Sequence, residues 1–332
     1  MVEKVGRVDY LDELRGFAIL LVVLGHIYLP FTESGSSNPV AEAIYSFHMP
    51  LFFFISGFLC EQTNRIDIIG YSKFLKKKFF ALIIPYLFWL IPGHIIFCNG
   101  KFDNLGEMLQ RFMFFPNLNI WFLPVLFLMM VLYAIQYFIV NKSDNYAKRL
   151  LFMLTVSMLL AFVGFLCHSY FCYVYIIYVC SFLGGSLLHK EQYFLNRITN
   201  INLMGWGSLA LLILWYFFPN ETNGRTLVSM MNLLANLVCA VIAIMVFYNF
   251  FYMNWLPVIV KRILQEFGKM SLVIYLLPIQ FLSDGFVFQA YSNSTINLIV
   301  LLLGLLQCVV ACVIGHCVFA IPYLRMIMFG KK

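Results

Sequence analysis

Long apolar runs separated by short polar connectors recur from one end of the chain to the other. Segments such as residues 18–24 and 125–133 are apolar on every face, whereas the strands of a membrane β-barrel alternate apolar and polar residues. A helix needs about 20 apolar residues to cross a bilayer, so the pattern predicts an all-α integral membrane protein, a bundle of about ten transmembrane helices. The spans are predicted at about residues 14–32, 44–62, 79–98, 119–140, 149–167, 171–189, 201–218, 227–253, 270–289 and 296–323.

Composition favours a membrane protein and excludes several other classes. Of 332 residues, 62% are hydrophobic and only 11% are charged, against about 25% charged in a soluble domain. Such a chain cannot cover a water-facing surface, which excludes a soluble enzyme, a DNA-binding protein and a secreted disulfide-rich protein. The connectors leave no room for a soluble domain, so residues 1–332 are predicted to form a single transmembrane domain. The nine cysteines lie mostly within spans without metal-ligand spacing, so no metal site is predicted.

The distribution of positive charge predicts the topology. With these spans, 19 of the 22 lysines and arginines fall on one side of the membrane, and only Lys101, Arg111 and Arg225 fall on the other. By the positive-inside rule, both termini then face the cytoplasm. Topology accounts for the net charge of +7, so no nucleic-acid partner is expected. Acidic residues precede the first span and no small-residue cleavage site follows it, so we expect it to remain as a membrane helix.

The first predicted span carries the strongest candidates for a functional site, Asp12, Arg15 and His26. At about 100° per residue, Arg15 and His26 project from one helix face about 20° apart, and Asp12 lies about 40° from His26. Arg15 and His26 are about 16 Å apart along the helix axis, a distance that a long ligand can bridge. Imidazole has an unperturbed pKa of about 6.5, so His26 is a candidate catalytic base near neutral pH. The structural alternative is that His26 only forms a hydrogen bond with a neighbouring helix.

The second predicted span carries His48, about one helical turn from its outer end. If the first two spans are neighbours, His26 and His48 reach a similar depth and form a polar pocket in the outer half of the membrane. Ser56 is a further candidate for this pocket, and Ser56 and Gly57 are small enough to permit close helix approach. His48 can instead orient the site by bonding a carbonyl that Pro50 frees from the helix.

Two charged features near the membrane surfaces have both functional and structural explanations. Lys76, Lys77 and Lys78 stand at the cytoplasmic entrance to the third span, where they can bind anionic phosphates or only set topology and contact lipid headgroups. Asp284 is a lone carboxylate in the outer part of the ninth span, where it can stabilise an imidazolium or be solvated at the helix end. Neither feature identifies a substrate by itself.

Five sequence blocks, in order, resemble the membrane acyltransferase-3 family. The family's hallmark is a basic residue, ten intervening positions and a histidine, and Arg15 and His26 match it within LDELRGFAILLVVLGH. The other blocks are FHMPLFFFISGF at residues 47–58, FLKKKFFALIIPY at 74–86, WFLPVLF at 121–127 and GKMSLVIYLLP at 268–278. The resemblance covers effectively the whole chain.

The chain also departs from the family pattern in three places. Relatives often have Arg-x-x-Arg entering the third span, whereas the nearest pairing here is Lys78 with Ala81. The glutamate that many carry after the tryptophan-led block is absent, and Pro278 stands where a histidine often follows the last block. The resemblance is therefore to a compact, polysaccharide-modifying or related branch that lacks an appended extracellular domain.

The resemblance implies an O-acyltransferase, most often an O-acetyltransferase, in a bacterial cytoplasmic membrane. Its donor would be cytoplasmic acyl-CoA, used as a co-substrate with no tightly bound cofactor, and its acceptor a hydroxyl of an envelope polysaccharide or a lipid-linked precursor. His26 would act as general base or carry the acyl group covalently, while Arg15, steered by Asp12, would bind donor phosphate or support the donor channel. The resemblance leaves the oligomeric state undetermined, with a homo-oligomer as one option. Substrate contacts are expected from His48, Ser56, Lys76, Lys77, Lys78, Trp121 and Asp284.

Two other classes of function share these features. A glycan exporter or flippase-like transporter of the same envelope pathway would also place polar residues within about ten helices. A sensor or partner-binding membrane protein would keep the fold without the chemistry. An acyltransferase changes the mass of its product by an acyl group, whereas a transporter changes only where the product is found.

Overall fold

The computed structural model describes residues 9–33, 38–61, 68–89, 121–139, 146–167, 170–190, 201–217, 227–277 and 293–330. Within these ranges the chain is helical and contains no strand, which confirms the all-α prediction for this part of the protein. A π-helical segment, Phe79–Ile83, continues α3, and residues 84–89 are again α-helical. The α-helices are α1 (Asp9–Glu33), α2 (Pro39–Glu61), α3 (Ile68–Lys78), α4 (Phe122–Ile139), α5 (Tyr146–Cys167), α6 (Tyr170–Lys190), α7 (Ile201–Phe217), α8 (Leu227–Tyr252), α9 (Val258–Lys269), α10 (Ser271–Leu276), α11 (Asn293–Phe319) and α12 (Pro322–Phe329).

The exposed surface of α11 is apolar, as expected of a helix that faces lipid. Its large side chains, among them Leu302 and Val313, are exposed, while the small or polar residues Gly304, Gln307 and Cys308 are buried. Over the described residues, α2 (at Pro39–Cys60) and α11 are the two helices long and apolar enough to cross a membrane. The full set of about ten spans and the cytoplasmic termini stay predictions.

The described contacts group the chain into two compact units, each built from two separate stretches. The first unit comprises Met1–Ile55 and Glu191–His316, and the second comprises Ser56–Lys190 and Cys317–Lys332. The boundaries fall inside α2 and inside α11. The expected single transmembrane domain stays a prediction.

In the first unit, α1 packs most extensively against α9. Glycines allow the two backbones to touch, because a Cβ on Gly16 would overlap the carbonyl oxygen of Leu264, and a Cβ on Gly268 would overlap that of Asp12. The sequence pattern places α9 in a polar connector. Apolar and polar residues of α9 nevertheless alternate at helical spacing, and Leu264 and Phe267 are buried against the bundle. This amphipathic helix therefore packs against the N-terminal end of α1 and supports its position.

In the second unit, α12 packs against the π-helical segment and the residues that follow it. The Trp89 indole Nε1 donates a hydrogen bond of 3.0 Å to the Met328 carbonyl oxygen. Gly330 ends α12 with φ of +60°, and a Cβ there would overlap the Phe80 carbonyl oxygen. The expectation that Gly57 permits close approach is confirmed, because the Phe182 carbonyl of α6 occupies the space of its missing Cβ.

Candidate active site

The candidate site lies in the first unit, where α1 and α2 run side by side. The Tyr45 hydroxyl of α2 donates a hydrogen bond of 2.7 Å to the Gly25 carbonyl oxygen of α1. The Tyr45 ring lies beside Gly25, where an added Cβ would be 3.8 Å from the ring, and so close to the residue before His26. The expected neighbouring of the first two spans is confirmed at this position, and the helix that carries His26 is fixed against the helix that carries His48.

His26 is half-buried, and its Nδ1 atom is buried without a hydrogen-bond partner among the described residues. Buried polar atoms are nearly always hydrogen-bonded, and one that is not requires an explanation. The structural alternative, in which His26 bonds a neighbouring helix, finds no support in the described part of the chain. A buried nitrogen that the described residues leave without a partner is suited to interact with a substrate.

His48 differs from His26 because the protein fixes its orientation. Its Nδ1 lies 2.7 Å from the Ile44 carbonyl oxygen, and its side chain is only 8% exposed. The Tyr45 ring packs edge-on against the imidazole, with ring centroids 5.5 Å apart. The sequence predicts that His48 bonds the carbonyl that Pro50 frees, which is that of Ser46. The structure shows that it bonds the Ile44 carbonyl instead, one helical turn before His48.

The two imidazoles lie within electrostatic range of each other, although they belong to different helices. Both occupy the side of α1 and α2 on which Tyr45 joins the helices. The structure thus brings together the two histidines that the sequence analysis singled out, whereas their chemical roles stay predictions.

Aromatic side chains hold α1 and α2 against α8 in the same unit. The Phe247 ring stacks on Phe47, the residue before His48, with centroids 5.1 Å apart, and it lies 4.8 Å from the ring of Phe17 on α1. Phe54, about two turns beyond Phe47 on α2, meets Tyr248, the next residue of α8, edge-on. These contacts surround the two helices with apolar surface, which lowers the local dielectric and strengthens polar interactions.

Arg15 is half-buried on α1, about 16 Å along the helix from His26. The face that α9 covers is a different one, since Gly16 lies about 100° around the helix from Arg15. Asp12 is also half-buried, and its backbone carbonyl contacts Gly268 of α9. Asp12, about 40° from His26 around α1, is thus the member of this set whose backbone meets α9.

Glu13, which the sequence analysis did not single out, is 2% exposed. Its Oε1 accepts a hydrogen bond of 2.9 Å from Gln265 Nε2 of α9, and its Oε2 is buried without a partner among the described residues. In the sequence, Glu13 is distinguished only as an acidic residue two positions before Arg15, which does not indicate that it is buried. Because Gln265 lies on α9, this bond supports the packing of α9 on α1.

The other candidates with described positions belong to the second unit. Lys76 and Lys77 are exposed at the end of α3, and the Lys78 ammonium lies 5.4 Å from the centroid of the Phe74 ring. This cation–π contact gives Lys78 a structural role as well as a charge. The exposed pair remains accessible to an anion or to lipid headgroups.

Trp121 and Ser56 both have structural explanations in that unit. The Trp121 indole stacks on Tyr178 with centroids 5.6 Å apart. Ser56 is 7% exposed and precedes Gly57, where α2 meets α6. Asp284 lies outside the described residues. Substrate contacts by these residues stay predictions.

His316 has a partner that the sequence analysis did not expect. Its Nε2 lies 3.0 Å from Glu266 Oε1, and Lys269 Nζ is 3.8 Å from the other oxygen of this carboxylate. The His316 side chain is 60% exposed in the last turn of α11, so the pair lies at the surface of the protein. It also provides an imidazole outside the candidate site for use as a control.

Removing the Tyr45 hydroxyl tests how firmly α1 and α2 are joined. Tyr45→Phe keeps the ring against Gly25 but loses one interhelical hydrogen bond, and we expect a loss of about 1 kcal/mol in unfolding free energy. Thermal unfolding of the purified protein in detergent measures this effect. Tyr252→Phe is the matched control, because the half-exposed Tyr252 hydroxyl forms no hydrogen bond within the described residues. Equal stability of the two variants would contradict the assignment.

Comparison with known proteins identifies the class of protein to which this helical fold and imidazole pair belong. A family described as an acyltransferase domain matches residues 8–317, nearly the whole chain. The chain therefore belongs to the class of acyltransferase-domain proteins. More narrowly, the chain belongs to the acyltransferase-3 family, which confirms the resemblance seen in its sequence blocks.

Curated relatives match a shorter part of the chain. Nodulation protein NolL of Sinorhizobium fredii is 39% identical over 82 residues, which are 24% of this chain and 22% of that protein. Nodulation protein NolL of Mesorhizobium japonicum is 35% identical over 82 residues, 24% of this chain and 21% of that protein. The match thus covers little more than a fifth of either relative. No solved structure matches the chain.

Proposed function

We propose that this protein is an O-acetyltransferase of the bacterial cytoplasmic membrane. It moves an acetyl group from cytoplasmic acetyl-CoA to a hydroxyl of an envelope polysaccharide or of a lipid-linked precursor. The observation that carries the proposal is the buried Nδ1 of His26, which has no hydrogen-bond partner among the described residues and lies near His48, in a chain of the acyltransferase-3 family. O-acyl transfer requires a group that removes the hydroxyl proton or accepts the acyl group, and imidazole performs both reactions near neutral pH.

The proposed arrangement uses the length of α1. About ten spans place both termini in the cytoplasm, so Arg15 lies toward the cytoplasmic end and His26 toward the outer end. The phosphates of the donor bind near Arg15, whose orientation Asp12 supports, and the thioester carbonyl reaches His26 about 16 Å away. Only the acyl group then crosses the membrane. The exposed Lys76 and Lys77 attract the anionic donor to the cytoplasmic surface.

Purified protein in proteoliposomes provides the direct test. Acetyl-labelled acetyl-CoA is added on one side, and polysaccharide extracted from an envelope of the deletion strain is supplied on the other. We expect label to enter the polysaccharide as an alkali-labile ester, with a mass increase of whole acetyl groups. Liposomes without protein are the control for spontaneous acetylation.

The same experiment distinguishes the enzyme from a transporter. A glycan exporter would move unlabelled polysaccharide across the bilayer without any change in its mass. Polysaccharide of unchanged mass, together with acetyl-CoA that is not consumed, would contradict the proposed function. Mass spectrometry of envelope polysaccharide from wild-type and deletion strains gives the corresponding measurement in cells.

A further inference from the structure

We infer that the two histidines have different tasks, and that Nε2 of His48 removes the proton from the acceptor hydroxyl while His26 serves the acyl donor. This inference rests on the proposed function and assigns the chemistry within the same site. From the sequence, His48 is a candidate substrate contact and His26 is either the general base or the acyl carrier. The hydrogen bond of His48, and the lack of one at Nδ1 of His26 among the described residues, favour the base at His48 and the donor role at His26.

The hydrogen bond of His48 determines which nitrogen can act as a base. A carbonyl oxygen only accepts hydrogen bonds, so the 2.7 Å contact between Nδ1 and the Ile44 carbonyl requires the proton to be on Nδ1. In the neutral ring, Nε2 then carries the free lone pair. A base oriented by a third group is the arrangement found in nucleophile–base–acid triads.

His26 lacks every feature that orients His48. Its Nδ1 is buried with no partner in the described ranges, so no protein group there selects its tautomer. A ring without an orienting bond is poorly suited to hold one proton acceptor in a fixed direction. It can instead present a lone pair or an N–H to a bound acyl carbonyl, as the donor requires.

The surroundings of His48 keep the ring in place during the reaction. The Tyr45 ring contacts the imidazole edge-on, while the Tyr45 hydroxyl is bonded to Gly25, the residue before His26. Phe47, on the other side, stacks on Phe247. These contacts tie His48 to the backbone beside His26, which keeps the proposed base next to the residue that serves the donor.

The bonds and charges of the transfer step balance. The hydroxyl oxygen forms a bond to the acyl carbon, and its proton passes to Nε2 of His48. The bond from the acyl carbon to sulfur breaks, and its electron pair leaves with the thiolate of the donor. If His26 first carries the acyl group, its ring nitrogen bonds the acyl carbon while the bond to sulfur breaks and the thiolate leaves. The hydroxyl oxygen then displaces that nitrogen, which keeps the electron pair of the broken bond. The imidazolium of His48 then loses its proton to water.

His48→Asn separates the base from the structural role of the side chain. The asparagine amide nitrogen takes the place of Nδ1 and can still donate to the Ile44 carbonyl, but no basic nitrogen remains at the position of Nε2. We expect acetyl transfer to polysaccharide to fall by about 10²- to 10⁴-fold. Binding of labelled acetyl-CoA and the thermal unfolding midpoint should match those of the wild type.

A second variant keeps the inference testable if His48→Asn does not fold. His48→Gln places an amide near Nε2 that cannot accept a proton near neutral pH, and we expect the same loss of transfer with retained acetyl-CoA binding. Transfer near the wild-type rate by either folded variant would overturn the assignment of His48. Absence of transfer by the wild-type protein would instead overturn the proposed function, so the two failures are distinguishable.

Discussion

Replacing His26 by alanine is expected to reduce acetyl transfer by at least about 100-fold while the protein remains folded. The loss follows whether His26 acts as base, acyl carrier or partner of the acyl carbonyl, since alanine provides none of these. The folded state should tolerate the change because Nδ1 has no partner within the described residues that removal would leave unsatisfied. Label incorporation in proteoliposomes at equal protein amounts measures the effect.

His316→Ala is the matched control for this variant. It removes an imidazole of the first unit that pairs with Glu266 at an exposed position outside the candidate site. We expect transfer and stability to stay near wild-type values, because exposed ion pairs contribute about 0–1 kcal/mol. If His26→Ala retained transfer at the level of His316→Ala, His26 would have no part in the mechanism.

The helical fold was predictable because lipid imposes a simple rule on the sequence. In a bilayer, a spanning segment must satisfy its own backbone, so long apolar runs become helices. This reasoning located the helices that carry His26 and His48. It missed α9, because a length criterion for spans overlooks a twelve-residue amphipathic helix whose apolar side is only one face.

The candidate site was only partly predictable, for a different reason. Helical spacing places Arg15 and His26 on one face, since that depends on one helix alone. The bond from Tyr45 to Gly25 depends on how two helices meet, and Tyr45 looks in the sequence like any apolar aromatic residue. The buried Glu13 and its partner Gln265 are 252 positions apart, so no local pattern connects them. The sequence therefore indicates which residues carry chemistry but not which of them the fold orients.

The same glycine-to-alanine change is expected to have opposite effects at two positions of α1. At Gly16 the added methyl would overlap the Leu264 carbonyl oxygen, which is backbone and cannot rotate away. The α1–α9 contact would have to open, and we expect a loss of about 3 kcal/mol or more in unfolding free energy. At Gly25 the methyl would meet Ile44 and the Tyr45 ring at 3.6–3.8 Å, ordinary contact distances. Alanine there is expected to be neutral or to stabilise the helix by up to about 1 kcal/mol.

Gly16→Ala and Gly25→Ala together test whether contact with α9 holds α1, the helix that carries His26, in place. Both substitutions add one methyl to the same helix, so a difference in unfolding midpoint in the same detergent reports only what surrounds each position. Gly16→Ala should also lose acetyl transfer, because displacing α1 from α9 moves Arg15 relative to the donor. Gly268→Ala should repeat the loss from the other side, since its methyl would overlap the Asp12 carbonyl oxygen. If Gly16→Ala and Gly25→Ala were equally stable, the two backbones could not cross at Leu264, and the position of the helix that carries His26 would have to depend on its contacts with helices other than α9.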